Sequence, residues 1–441
     1  MTLSKIRNLP SACSGILASI GLASCSQLAS DVQSPTSSFE AVPADEAASI
    51  DEVVALGVSL QDKRAALDES QEGQLLRGVH AKSHGCVKAE FTVNPDIDEK
   101  YRVGLFRHSN RVHEAWIRFS NAAVLREDDL KAAESGDPKT RQNGSRGMAI
   151  KVMDVEGDML SKDNGRSNQD FLMINTPEFA FANTRDYLRL NRILARSPKG
   201  DIGKPYFFPA VLAQKKQELA ALGEPQEDET AKVTGDRAEL RGTIALLEGA
   251  IEQDPLLGSL SDEDLNGTFA SAGVVAAITQ QTVRNPMQVQ YFGAAPFLFG
   301  DDRAMKFSAA PCDVVPQAPF VEKTADNPSK DYLREALAET MGDAEDVCYD
   351  FKVQTREADA TDLNIEDATT TWPDEETSYV NVAKIMIRVP QSPHTPEALE
   401  HCEMLAFSPW HSLAAHQPLG SINRLRRSVY SESANHRGAS F

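Results

Sequence analysis

Hydrophobic and polar positions alternate with a period of two in several short stretches. Val87, Ala89, Phe91 and Val93 share one face, and Lys88, Glu90 and Thr92 share the other. That is the pattern of a half-buried strand. Trp116-Ile117-Arg118-Phe119-Ser120 alternates again, with Arg118 and Ser120 pointing opposite to Ile117 and Phe119. Residues 146–153 and 169–177 predict two more strands, the second ended by Pro177, since proline cannot donate to a ladder. Four strands in about a hundred residues, joined by long loops, predict an antiparallel sheet or barrel.

The period then changes. Leu240, Ile244, Leu247 and Ile251 recur at helical spacing, and Leu212, Leu219 and Leu222 mark a second helix. Residues 184–285 therefore read as a helical insert, with a mobile acidic loop near 224–229. A helix is also expected over 52–69. Strands return at 287–292, 304–308 and 379–389, while the Asp/Glu-rich stretch 339–376 reads as a solvated loop region. The expected fold class is α+β: an antiparallel β-barrel core, a helical insert and a C-terminal helix.

That last helix carries candidate chemistry. Pro418 and Gly420 break the chain and Ser421 is a candidate N-cap. Beyond it, Arg426, Tyr430 and Arg437 lie at spacings of four and seven, on one face. An apolar seam would carry Leu or Ile there. An arginine one turn from a phenol favours the phenolate, a hard anionic ligand for ferric iron. A solvated basic helix with an incidental tyrosine has the same spacing, so the rest of the chain must decide.

Composition narrows the partners. The 441 residues carry 65 Asp and Glu against 45 Lys and Arg, a net charge of -20. A phosphate backbone wants a basic surface, so no nucleic-acid partner is expected. Residues 1–24 read as a lipoprotein signal peptide: Lys5 and Arg7 precede a short apolar run and Leu22-Ala23-Ser24-Cys25, which resembles the bacterial lipobox. Lipid on Cys25 would anchor the protein in the cell envelope, and Ser26 resembles the pattern sorted to the outer membrane. Residues 25–50, rich in Ser, Ala, Pro and Asp, read as a flexible tether, and residues 51–441 as the main domain. Of six cysteines, Cys13 would be cleaved off and Cys25 acylated. Cys86, Cys312, Cys348 and Cys402 remain, free and buried or paired in one of three ways.

Taken in order, the segments RGVHAKSHG, WIRFS, RGMAIKV, QDFLMINTP and RRSVYSESANHR resemble the haem catalase superfamily. FSPWHSLAAHQPLGSINRLRRSVY is similar to its small bacterial catalase-like haem proteins. The resemblance spans roughly residues 76–437 and implies ferric haem b on a catalase-like barrel. It implies that Tyr430 is the proximal iron ligand and Arg426 the arginine that keeps it a phenolate. His80 would be the distal acid/base and Ser120 the hydroxyl that orients it. Arg77, Arg118 and Arg437 would hold the haem propionates, and Tyr187 would be the aromatic stacked on the haem. His80 and His84 are four apart, a zinc spacing only on a helix, and Gly78 and Gly85 argue against one. His411 and His416 are expected to stabilise loops.

One departure stands out. Where the family places an Asn one residue before Asn-Thr-Pro, this chain has Ile174, and Asn175 should face the other way on a strand. Ala434 also stands where large catalases carry His. Two functions follow from the resemblance. One is a peroxidase or peroxygenase acting on hydrogen peroxide or on organic or lipid hydroperoxides. The other is a non-catalytic haem-binding envelope protein.

Overall fold

Eight antiparallel strands close into a barrel in the computed structural model, which describes residues 37–67, 75–122, 129–131, 142–198, 203–225, 230–281, 283–312, 329–342, 345–357, 360, 363–373 and 377–439. In chain order the described elements are α1 (Glu46–Leu67), β1 (Ser83–Val93), β2 (Val112–Asn121), β3 (Leu130–Lys131), β4 (Gln142–Asn143), β5 (Arg146–Val152) and β6 (Gln169–Ile174). The insert follows as α2 (Thr184–Arg196), α3 (Phe208–Ala221), α4 (Ala231–Gln253) and α5 (Asp262–Gln280). Then come β7 (Tyr291–Phe292), β8 (Phe297–Phe299), β9 (Arg303–Pro311), α6 (Tyr332–Gly342), β10 (Val347–Glu357), β11 (Val380–Ile387), α7 (Pro396–Met404) and α8 (Ser421–His436). The ring runs β1-β2-β5-β6-β7-β9-β10-β11 and back to β1, with β8 on the edge of β9 and β3–β4 a separate ladder.

Period two explains which faces are buried. Val87, Ala89, Phe91 and Val93 of β1, Ala115, Ile117 and Phe119 of β2, and Met148, Ile150 and Val152 of β5 belong to the barrel core. Phenylalanines fill its centre: Phe171 and Phe351 lie 4.6 Å apart, Phe171 and Phe307 5.0 Å, and Phe91 and Phe351 5.3 Å between ring centroids. An eight-stranded barrel has an interior that side chains can fill. Chemistry is therefore left to the outer face, where alternation puts Arg118 and Ser120.

Several expectations change. The described part of residues 339–376 is not a solvated loop: β10 crosses it, pairs with both β9 and β11, and buries Val347, Tyr349, Phe351 and Val353. Its acidic neighbours hid a period-two strand under an average composition. Nor are residues 37–50 a tether. Phe39 packs with Leu363, Trp372 and Leu419, and α1 already begins at Glu46. Glu40 and Glu46 both bind the buried guanidinium of Arg424, which gives this linker-like composition a folded role. Residues 1–36, including Cys25, and the acidic loop at 226–229 lie outside the described residues. At 286–288 a 3-10 turn stands where a strand start was expected.

Candidate active site

α8 is pinned at its N-terminus. Gly420 holds φ 84, and a Cβ there would meet the carbonyl oxygen of Ile365 at 2.2 Å. Ser421 is the first helical residue rather than the cap: its hydroxyl accepts from Thr184 N at 2.9 Å and donates to Glu46 at 2.6 Å. Trp410 Nε1 donates to Asn423 O at 2.7 Å. From this fixed start, Arg426, Val429, Tyr430, Ser433, Ala434 and Arg437 form one stripe facing a cavity of about 290 Å³.

The opposite wall is the outer face of the barrel. Ser120, Gly147 and Ile174 lie in one row across β2, β5 and β6. Arg118, Ala149 and Leu172 form the next row, and both rows line the cavity apart from Gly147 itself. Ile174 therefore faces the cavity. Asn175 faces away, accepting from Arg146 N at 2.7 Å and donating to Gln281 at 2.7 Å.

His80 stands on the turn before β1 rather than on a strand, with φ 58. Left-handed backbone in a histidine is uncommon, and such strain gathers at functional sites. Its carbonyl accepts from Arg118 at 2.9 Å, and its Nδ1 shares a 3.0 Å hydrogen bond with the hydroxyl of Ser120. Burial and the charges of Arg118, Arg426 and Arg77 hold the imidazole down at about 3, so the ring is neutral at ordinary pH. The preceding backbone is clamped by α1: Gln61 donates to Leu76 O at 2.8 Å and Arg64 to Gly78 O at 2.8 Å.

Arg426 lies with its guanidinium carbon 5.2 Å from the centre of the Tyr430 ring and one nitrogen 3.5 Å from the phenol oxygen. Tyr187 lines the same cavity and packs against Phe181 at 5.5 Å. Burial, then the neighbouring Tyr430, raises its phenol above the usual value. Arg77, Arg118 and Arg437 also line the cavity. All eight residues singled out in the sequence thus meet at one cavity.

Others were missed. Val53, Gly57, Leu60 and Gln61 make α1 a wall of the cavity, although its sequence signals only a helix. Phe407 is held in the wall by a loop anchored to the outer face of β6. There Asp170 accepts from Lys151 at 2.9 Å, from His411 at 2.8 Å and from Ser408 N at 3.0 Å. Glu403 touches the arginine cluster. Period-two placement of Asp170 opposite the core was the one available signal. His84 is buried at the start of β1, and its Nε2 shares a 3.0 Å hydrogen bond with Asn121 Oδ1. Among the described residues no group of three His, Cys, Asp or Glu is placed to hold a metal ion. His416 stabilises a loop as expected, accepting from Leu105 N at 3.1 Å.

No family model matches the chain. A catalase of Staphylococcus haemolyticus is 28% identical over 129 residues, 29% of this chain and 22% of that protein. A catalase-like protein of Staphylococcus aureus is 28% identical over 123 residues, 28% of this chain and 22% of its own length. The chain thus matches about a fifth of the length of these curated relatives. Among solved structures, catalase A from Saccharomyces cerevisiae superposes with a TM-score of 0.51 at 17% identity, covering 82% of this chain and 61% of that one. A fungal catalase superposes with a TM-score of 0.50 at 15% identity, covering 82% and 59%.

Proposed function

From the catalase fold that those solved structures share with it and from a partial sequence match, we propose that the chain belongs to the catalase superfamily and is a haem-dependent oxidoreductase of peroxides. One observation carries the reading: His80, bonded to Ser120, opens onto the same cavity as the Tyr430–Arg426 pair. A protein that only stored haem would need no oriented proton-transfer group.

The residues fit a haem. The cavity wall is mostly apolar, from Val53 and Leu60 to Leu190 and Phe292. Arg118 Nε and Arg426 Nε are buried and have no hydrogen-bond partner among the described residues, so the site offers donors for groups the protein does not supply. Tyr430 would ligate the ferric ion, and Arg77, Arg118 and Arg437 would hold the two carboxylates. When bound, the haem supplies the redox chemistry that breaks the peroxide bond. The protein's part is to hold and move a proton. Neutral His80 takes it at Nε2, because Nδ1 is engaged by Ser120, and returns it to the leaving oxygen.

Ile174 favours a second reading. An apolar side chain where the family has an amide offers no hydrogen bond to position a peroxide, as expected of a haem-binding protein without turnover. Stopped-flow mixing of the haem-loaded protein with hydrogen peroxide and with an organic hydroperoxide separates the two. Saturable peroxide consumption supports the enzyme; bleaching without consumption supports the carrier.

Location is proposed from the leader: lipid on Cys25 would hold the domain at the envelope membrane. Cys86–Cys402 and Cys312–Cys348 are disulfide-bonded, which suits an oxidising compartment. No described helix is long and apolar enough to cross a membrane. Cys25→Ala protein is expected to leave the membrane fraction on a salt wash; retention there would remove the anchor.

A further inference from the structure

The arginines at the cavity edge are organised around one carboxylate. Arg77 pairs with Glu403 through Nη1, and Arg118 Nη2 lies 3.6 Å from the same carboxylate. Arg437 donates to the backbone carbonyl of Glu403 and, at 3.2 Å, to that of Leu405. Arg77 Nη2 reaches Leu405 O at 2.6 Å and Cys402 O at 3.2 Å. These carbonyls are the C-terminal end of α7, where cations are favoured. Burial opposes ionisation of Glu403, but Arg77, Arg118 and Arg437 prevail and hold its carboxyl below the usual range.

A covalent bond holds this arrangement in register. Cys402, the residue before Glu403, is bonded to Cys86 of β1, and Cys86 pairs directly with Arg118 across the β1–β2 ladder. The end of α7 is therefore stapled beside one of the arginines it serves. Three guanidiniums and one carboxylate leave two positive charges.

We propose that Glu403 is a positioning residue for the carboxylate-binding arginines. It aims Arg77 and Arg118 at one place and sets the cluster at two positive charges, the complement of a ligand with two carboxylates. Without it, three like charges would face one another with only α7 carbonyls between them, and the guanidinium directions would spread. This rests on the haem reading, because the two carboxylates are taken to be propionates.

The test compares haem with haem dimethyl ester, which lacks both carboxylates. Each is titrated by absorbance into the haem-free full chain for wild type, Glu403→Gln and Glu403→Asp. Glu403→Gln is expected to weaken haem about tenfold, the scale of one charged hydrogen bond, with the diester changed less than about twofold. Glu403→Asp, which keeps the charge one methylene short, should fall between. Should Glu403→Gln not fold, Glu403→Asp carries the same comparison. Equal weakening of both ligands would make Glu403 merely structural and overturn the proposal. So would unchanged or tighter haem binding, which would mark the carboxylate as a competitor for the arginines. Wild type binding neither porphyrin would remove the haem reading itself, and this proposal with it.

Discussion

Gly147 lies beneath the imidazole of His80: a Cβ at position 147 would come within 2.4 Å of ring atoms Cε1 and Nδ1 and 3.0 Å of the Ser120 hydroxyl. The absence of a side chain on β5 is what lets the ring lie against the barrel and reach Ser120. Gly147→Ala should push the ring off that contact and lower peroxide turnover by about 10²-fold or more, toward the loss from removing a general acid–base group. Its thermal midpoint should fall by less than a core cavity would cause. Steady-state rates at equal haem loading, beside a melting curve, check this; full activity in Gly147→Ala would separate the ring position from function.

Tyr430 and Arg426 share one face of α8 and touch at the phenol oxygen. Tyr430→Phe is expected to lose the phenolate-to-iron charge-transfer band and most of the haem retained on desalting. Arg426→Ala should keep haem but bind it more weakly, because the cation beside the phenol oxygen is gone. Absorption spectra of the three proteins after gel filtration decide; an unchanged spectrum in Tyr430→Phe would move the proximal ligand elsewhere.

Acid should destabilise the fold in a window set by buried histidines. Burial is the leading cause that lowers His84 to about 3 and His416 to about 4, from 6.5. Both folded values lie below the unfolded one, so as pH falls below 6.5 the unfolded chain takes up protons the native protein refuses. Stability is therefore lost as pH falls from 6.5 toward 4, at about 1.4 kcal/mol per pH unit for each such histidine. His113 and His394, lowered chiefly by burial, act in the same direction. Urea unfolding between pH 7 and pH 4 measures the slope, and His416→Gln should flatten it by one proton. A slope unchanged in that variant would show that His416 is not the group titrating.

How much of this was legible follows from the range of each interaction. Strand alternation and the α8 stripe depend on neighbours two to seven residues apart, so Arg118, Ser120 and Tyr430 could be placed on faces directly. Ring closure through β9 and β10 depends on a pairing such as Phe351 with Ala309, which no local period encodes. Glu403 meets Arg77 across 326 residues, and its own helix shows no sign of a site. The pairing of Cys86 with Cys402 spans 316 residues, so the sequence left three pairings open. Along the chain Gly147 is one more strand position; the need for an empty place there appears only when His80 is laid over it.

Ile174 sets the last expectation. It faces the cavity in the same row as Ser120 and Gly147 and pairs onward to Phe292. Asn175, one residue on, is spent on Arg146 N and Gln281, so it cannot turn inward without leaving those partners. The floor beside His80 is thus apolar on its β6 side, where Leu172 also faces the cavity. A missing positioning donor at a reacting centre costs roughly 10²–10³ in rate, by comparison with the loss of an oxyanion-hole donor. Wild type should therefore release oxygen from hydrogen peroxide slowly and favour peroxidase chemistry with an added donor. Ile174→Asn should raise oxygen release by at least about tenfold, while His80→Ala should remove most of what remains, since a general acid–base group supplies about 10²–10⁴. Oxygen evolution by the three proteins at equal haem loading is the measurement. Fast wild-type turnover that Ile174→Asn does not improve would show that an amide at this position is not what the cavity lacks.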